Sequence, residues 1–149
     1  MIMAHSKIKI WVHAIWGTKN RKAFITPDIE ARVHELLRQE LIQMGCFVES
    51  LNGMPDHIHA LFLLHPNLSI RVVMKQVKGA VSHVINKIGL CPDKFAWQVG
   101  FAAFSVSESK VPVVRRYIER QKQHHSNKAF EEEYRLFLKR HGLSDEPTN

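Results

Sequence analysis

The chain has 149 residues, 45% of them hydrophobic, two cysteines and a formal net charge of +7. That length suits one domain, residues 1–149, with a real core, and no apolar run reaches the length of a membrane span or a signal-peptide core. Cys46 and Cys91 stand in no metal or redox spacing, so they read as free thiols in a reducing cytoplasm rather than a disulfide framework.

Charge is segregated along the chain. Residues 1–25 carry five basic and no acidic side chains, residues 26–65 two against six, residues 66–122 ten against three, and the remainder four against five. A nucleic-acid backbone is the commonest partner of such basic segments, with a plainly solvated face as the alternative.

Lys7 to Thr18 is rich in β-branched and aromatic residues and predicts a first strand. Ile8, Ile10, Val12, Ala14 and Trp16 share one face; Lys7, Lys9, Trp11, His13 and Ile15 share the other. Lys19, Arg21 and Lys22 follow in a basic loop and are candidate DNA contacts. Thr26-Pro27-Asp28 reads as a helix start. Ile29, Val33, Leu36, Leu37, Leu41 and Met44 then recur at helical spacing until Gly45. Cys46 to Leu51 predicts a short second strand.

Asn52 to Leu64, NGMPDHIHALFLL, is the centre of the chain. Asn52, Gly53 and Pro55 predict a hairpin entry. The run after them predicts a buried strand, on which His57 and His59 point to the same side. Ten histidines in the chain make one His-x-His unremarkable by chance, and two satisfied core histidines would look the same. Asp56 is expected either to orient a histidine or to close the turn.

Ser69 caps a second helix, in which Ile70, Val73, Met74, Val77, Val81, Val84, Ile85 and Ile88 form an apolar stripe. Arg71, Lys75 and Lys78 line another side, as phosphate contacts or as a solvated face. Gly79 costs this helix about 1 kcal/mol against alanine, for a close backbone approach or for packing. Phe95 to Val106 predicts a fourth strand interrupted near Gly100. A third helix is expected from Ser109 to about His125, and a fourth capped by Asn127, with Phe130, Tyr134, Phe137 and Leu138 as its apolar face. Leu143 to Asn149 reads as a frayed tail. The order predicts an α+β fold: a ferredoxin-like β-α-β-β-α-β antiparallel sheet with added C-terminal helices. Ile58 and Phe62 are expected to face the crossover helices, and His57 and His59 the opposite side.

The third helix holds Arg115-Arg116-Tyr117-Ile118-Glu119-Arg120-Gln121. Tyr117 and Gln121, four apart, would share one side. Arg115, Arg116, Arg120 and Lys122 around Tyr117 are an odd setting for a core tyrosine and a fitting one for a hydroxyl that meets a phosphate. Tyr134 falls on a clean apolar stripe and reads as structural.

These segments together resemble the single-tyrosine HUH transposases, the small transposases of single-strand insertion sequences and their REP-associated relatives. The resemblance rests on VHAIWGTKNR, MPDHIHALF, KQVKGAVSHVIN, WQVGFAAFSVS and YIERQ. It implies that Tyr117 is the nucleophile and that His57, His59 and Gln121 bind Mg²⁺ or Mn²⁺. It also implies cleavage and rejoining of single-stranded DNA at hairpin-bearing element ends through a 5′-phosphotyrosine, with no nucleotide cofactor. The family works as a homodimer in which the tyrosine helix can come from the partner, and Ser105 to Ser109 would be the hinge. Arg71, Lys75 and Lys78, the loop cations, and Arg115, Arg116 and Arg120 are the expected DNA contacts of a cytoplasmic protein.

Two other readings stand beside it. A non-catalytic or domesticated single-strand nucleic-acid-binding protein could use a ferredoxin-like sheet with Trp11 or Trp16 stacking on bases. A zinc hydrolase would need His5, His13 or the His124-His125 pair, none of which shows ligand spacing tied to His57 and His59.

Overall fold

The computed structural model describes residues 5–124 and 129–144. Four strands, β1 (Trp11–Gly17), β2 (Phe47–Met54), β3 (His57–Leu63) and β4 (Ala102–Val106), form one sheet in the order β2-β3-β1-β4. Every neighbouring pair is antiparallel. Helix α1 (Glu30–Gln43) joins β1 to β2 and α2 (Ile70–Lys87) joins β3 to β4. This is the ferredoxin-like arrangement that the element order predicts.

The period-two pattern places the core. Val12, Ala14 and Trp16 of β1 and Ile58, Ala60 and Phe62 of β3 pack against Val33, Leu37 and Leu41 of α1 and Val73, Met74, Val77, Val81 and Ile85 of α2. Each such large side chain contributes about 1.5–3 kcal/mol by leaving water. Trp11, Ile15 and Leu61 point to the other side of the sheet, into separate clusters. There the chain lays down α3 (Val111–Glu119), α4 (Gln121–His124) and α5 (Phe130–Arg140). Trp11 and Trp16 are only 7% and 2% exposed, so neither is a stacking platform for bases.

Several boundaries differ from the sequence reading. Thr26 does not cap α1 with its side chain; its carbonyl accepts from the Ile29 and Glu30 N–H groups, and the helix proper begins at Glu30. Strand β2 runs on through Asn52 and Gly53, and Pro55-Asp56 alone makes the turn. A register shift between Val48 and Ser50 puts Glu49 in a bulge, from which its carboxylate meets Arg115 at 2.9 Å. Phe95 to Phe101 is irregular; its backbone joins the sheet at a Thr18–Trp97 bridge, and Phe95 and Trp97 pack into the core beside Trp16. The predicted third helix breaks at Arg120 into α3 and α4. Ser69 does cap α2, its Oγ accepting from the Val72 N–H at 3.1 Å. The expected cap Asn127 and most of the expected tail lie outside the described residues.

Two glycines separate cleanly. A Cβ on Gly53 would sit 2.1 Å from the His57 carbonyl oxygen, whereas one on Gly79 would meet nothing within 4 Å. Gly53→Ala is therefore expected to cost more than about 2 kcal/mol, and Gly79→Ala to stabilise by about 1 kcal/mol. Chemical denaturation of both variants checks the pair. Packing within the chain does not require glycine at position 79.

His34 on α1 is pulled down to about 4, first by burial, against a smaller opposing pull from Glu30. Burial likewise holds His13 well below the ordinary imidazole range, helped by His59. Both are lowered, so the unfolded chain takes up protons first as pH falls through the ordinary value near 6.5. Stability is expected to be full above that value and to fall on acidification, by about 3 kcal/mol from His34 alone by pH 4. Denaturation midpoints between pH 7 and 4, flatter in His34→Leu, test this.

A candidate metal and tyrosine site

Strand β3 presents His57 and His59 to the face away from α1 and α2, as the alternation requires. Both are fully buried. Their surroundings begin with the turn before them. The Asp56 carbonyl accepts from the Thr18 N–H at 2.9 Å, and its carboxylate Oδ1 lies 2.8 Å from His57 Nδ1. Asp56 thus closes the turn with its backbone and orients the histidine with its side chain. That contact fixes the ring so that Nε2 is directed into the face.

Gln121 Oε1 stands 3.1 Å from that Nε2. Gln121 is fully buried, which the break at Arg120 makes possible by turning its side chain in under the sheet. Tyr117, one helix earlier, is half-buried with its ring centroid 5.8 Å from that of His59. Tyr117, Gln121 and the two histidines are therefore brought together within one chain, although Tyr117 and Gln121 do not share a helix.

Glu133 escapes sequence reasoning, and His13 enters it only as a ligand of the zinc alternative. His59 Nε2 lies 2.6 Å from Glu133 Oε1 of α5, a buried carboxylate, and His59 Nδ1 lies 2.8 Å from His13 Nε2 of β1. Glu133 sits in a run of three glutamates, and only its position on the Phe130-Tyr134-Phe137 stripe marks it as inward. His13 is placed beside His59 by the β1–β3 register, in which Ile15 faces His59. Because His13 touches the ring nitrogen opposite Glu133, it supports His59 rather than joining the donor cluster. The donor atoms of His57, His59 and Glu133 all lie within 4.8 Å of one another. Two imidazoles and a carboxylate, with an amide oxygen alongside, fit a divalent cation.

Tyr117 is held protonated here. Burial, and then the charge of Glu133 and a hydrogen bond to it, push its hydroxyl well above the ordinary phenol range, against a smaller downward pull from Gln121. Phe130 closes the site, its ring stacked on His57 at 4.0 Å and 9°. Gly17, opposite His57 in the β1–β3 register, leaves the room: a Cβ there would stand 3.3 Å from the Phe130 ring.

The basic residues fall into distinct places. Arg71, Lys75 and Lys78 line one groove with Gly79, but Lys78 Nζ donates to the carbonyls of Gln98 (2.9 Å) and Gly100 (2.6 Å). Arg21 pairs with Glu131 at 2.5 Å and lies over the Phe130 ring, Lys22 pairs with Asp93, and Lys19 is exposed. Arg115 is held by Glu49, while Arg116 and Arg120 are exposed. The Ser105 to Ser109 segment ends β4, and Glu108 within it is anchored by Lys9 and Trp11. His5 is exposed and far in sequence from any ligand, and the side chains of His124 and His125 are outside the described set.

Residues 6–121 match a family described as IS200-like transposases. The chain is 29% identical over 115 residues to the ISDra2 transposase TnpA of Deinococcus radiodurans, covering 73% of this chain and 81% of that protein. The fold is similar to the crystal structure of a transposase candidate from Deinococcus radiodurans R1, with a TM-score of 0.64 and 26% identity over 81% of this chain and 98% of the other. It is also similar to the REP-associated tyrosine transposase bound to a REP hairpin, with a TM-score of 0.62 over 84% of this chain and 74% of the other, at 14% identity.

Proposed function

The chain belongs to the IS200-like transposase family, and from that premise we propose that it cleaves and rejoins single-stranded DNA at hairpin-bearing element ends through a 5′-phosphotyrosine. The observation that carries the reading is the meeting of Tyr117, His57, His59 and Gln121 on one covered face of the sheet. An open four-stranded sheet offering bases a platform, which a pure binding module of this fold would use, is not what the described residues form, because α3, α4 and α5 lie over that face.

Each residue has a role in the proposal. Tyr117 Oη attacks the phosphorus, the bond to the 3′ oxygen breaks, and that oxygen leaves as a hydroxyl with a proton gained. The phosphodiester energy stays in the tyrosine ester, so a second 3′ hydroxyl can reverse the step without a nucleotide cofactor. His57 and His59, with Gln121 and Glu133, would hold Mg²⁺ or Mn²⁺, which supplies Lewis acidity toward the phosphate oxygens. Asp56 and His13 keep the two imidazoles turned inward. Because the histidines are fully buried and Phe130 is stacked on His57, the phosphate reaches them only when that ring swings aside.

Arg71 and Lys75, with Lys19, Arg21, Lys22, Arg115, Arg116 and Arg120, supply the sequence-independent attraction for DNA, and Lys78 holds the loop beside them. The REP-hairpin-bound neighbour supports a hairpin as the partner. One nucleophilic tyrosine per chain makes one covalent link, and moving a segment needs two ends, so the working form in this proposal is a homodimer acting in the cytoplasm. No helix of the described residues is long and apolar enough to cross a membrane.

Incubation with a panel of single-stranded hairpins and Mg²⁺ or Mn²⁺ tests the proposal. A denaturation-resistant protein–DNA species carrying the 3′-side label is expected. Hairpins bound tightly yet never linked would make the protein a binding module.

A further inference from the structure

A cavity of about 630 Å³ opens beside the covered histidines, and nothing above uses it. Its walls come from the end of β1 and the Asn20-Arg21 turn after it, from the Gln98 to Phe101 loop, and from Phe130, Glu131 and Tyr134 at the start of α5. We propose that this cavity receives one unpaired base of the DNA strand, next to the phosphate that reaches His57. The inference rests on the cleavage reading for that phosphate, and on the cavity alone for the base.

The lining has the chemistry of base recognition. Phe101, Phe130 and Tyr134 are aromatic, and every base has a face to stack on them. Asn20 and Gln98 are exposed side-chain amides that offer both a donor and an acceptor to a base edge, the combination that pairs well with adenine. The volume lies within the range of small-ligand sites. Position matters as much: Phe130 forms one wall of the cavity and is the ring stacked on His57, so a nucleotide seated here is one side chain from the metal cluster.

The Asn20-Arg21 wall also carries backbone strain that hydrogen bonds of the fold hold in place. Asn20 and Arg21 both adopt φ of 55°, the left-handed region, and neither is glycine. Such strain persists where surroundings enforce it and gathers at ligand sites. Here the Lys19 N–H donates to the Ala96 carbonyl at 3.0 Å, the Arg21 N–H to Thr18 at 3.1 Å, and Thr18 Oγ1 to the Lys22 carbonyl at 2.6 Å. The opposite wall is fixed by Lys78, whose ammonium grips the Gln98 and Gly100 carbonyls. That same loop is also one side of the groove holding Arg71 and Lys75. Phosphates tracked along α2 and a base seated in the cavity thus lie on the two sides of one rigid loop. Lys78 is a positioning residue in this arrangement rather than a phosphate contact.

The test uses the full chain and a library of hairpins flanked on both sides by randomised single strands. Bound species are sequenced after selection without metal, and cleaved species after selection with Mg²⁺. One flank position is expected to show a base preference of about fivefold to a hundredfold. Gln98→Ala and Asn20→Ala, both at exposed side chains, should flatten that position and no other, and Tyr134→Leu should weaken binding of flanked hairpins but not of bare ones. A preference untouched by all three variants, or no preference at any flank position, overturns the cavity assignment while any cleavage stands. A preference that the variants do erase, in a protein that cleaves nothing, keeps the base site and removes the cleavage reading.

Discussion

His57→Ala and His59→Ala proteins are expected to form no covalent adduct with hairpin DNA, at least about a thousandfold below the unaltered chain, while binding the hairpin with nearly unchanged affinity. The two effects separate because they arise in different places. In the proposal, affinity for the strand comes from exposed cations on α2 and the loop after β1, whereas both histidines are sealed beneath α5. Removing one imidazole also leaves a cavity beneath Phe130, at a cost of about 2–4 kcal/mol, so thermal unfolding of each variant accompanies the assay. Tyr117→Phe serves as the partner variant: it keeps the ring packed against His59 and Phe137 and loses only the hydroxyl. It should match the histidine variants in losing the adduct and should bind the hairpin as well as the unaltered chain. Adduct formation by a folded His57→Ala protein would remove His57 from the site.

Glu133→Gln is expected to weaken Mn²⁺ binding by about ten- to a hundredfold, and Gln121→Ala by less. The ranking follows from the donors. A carboxylate brings a negative charge to a hard cation, and an amide brings only a dipole. Glu133 already stands 2.6 Å from His59 Nε2, as Gln121 stands 3.1 Å from His57 Nε2. Titration calorimetry on the DNA-free protein reads the affinity without reference to cleavage. The reverse order would make the amide the ligand and leave Glu133 as the partner of His59 in the metal-free protein alone. The same substitution should lower the Tyr117 hydroxyl toward its ordinary value, because the charge of Glu133 is one of the causes that hold it up.

Local periodicity by itself determined much of this protein. The period-two pattern of β1 and β3 determined that Val12, Ile58 and Phe62 would face the helices and that His57 and His59 would face away, because a strand alternates whatever its neighbours are. The stripe of α2 and the Ser69 cap are equally local. Tyr117 and Gln121 were legible as candidates through their basic surroundings and a family resemblance.

Contacts across long stretches of chain were decided only in the tertiary structure. Glu133 meets His59 from 74 positions away and His13 meets it from 46, and no local pattern sets such a register. The break at Arg120 was invisible because helix propensity on both sides of it is good; it accompanies the burial of Gln121 beside His57. Gly53 read as a turn residue, but strand pairing places it where the His57 carbonyl leaves no room for a Cβ. Lys78 has the spacing of a phosphate contact along α2, yet a loop twenty residues on presents two carbonyls to it, and a cation partly withdrawn from water takes them. Spacing along the chain determines which face a side chain occupies, and packing between distant segments decides which partner it finds there.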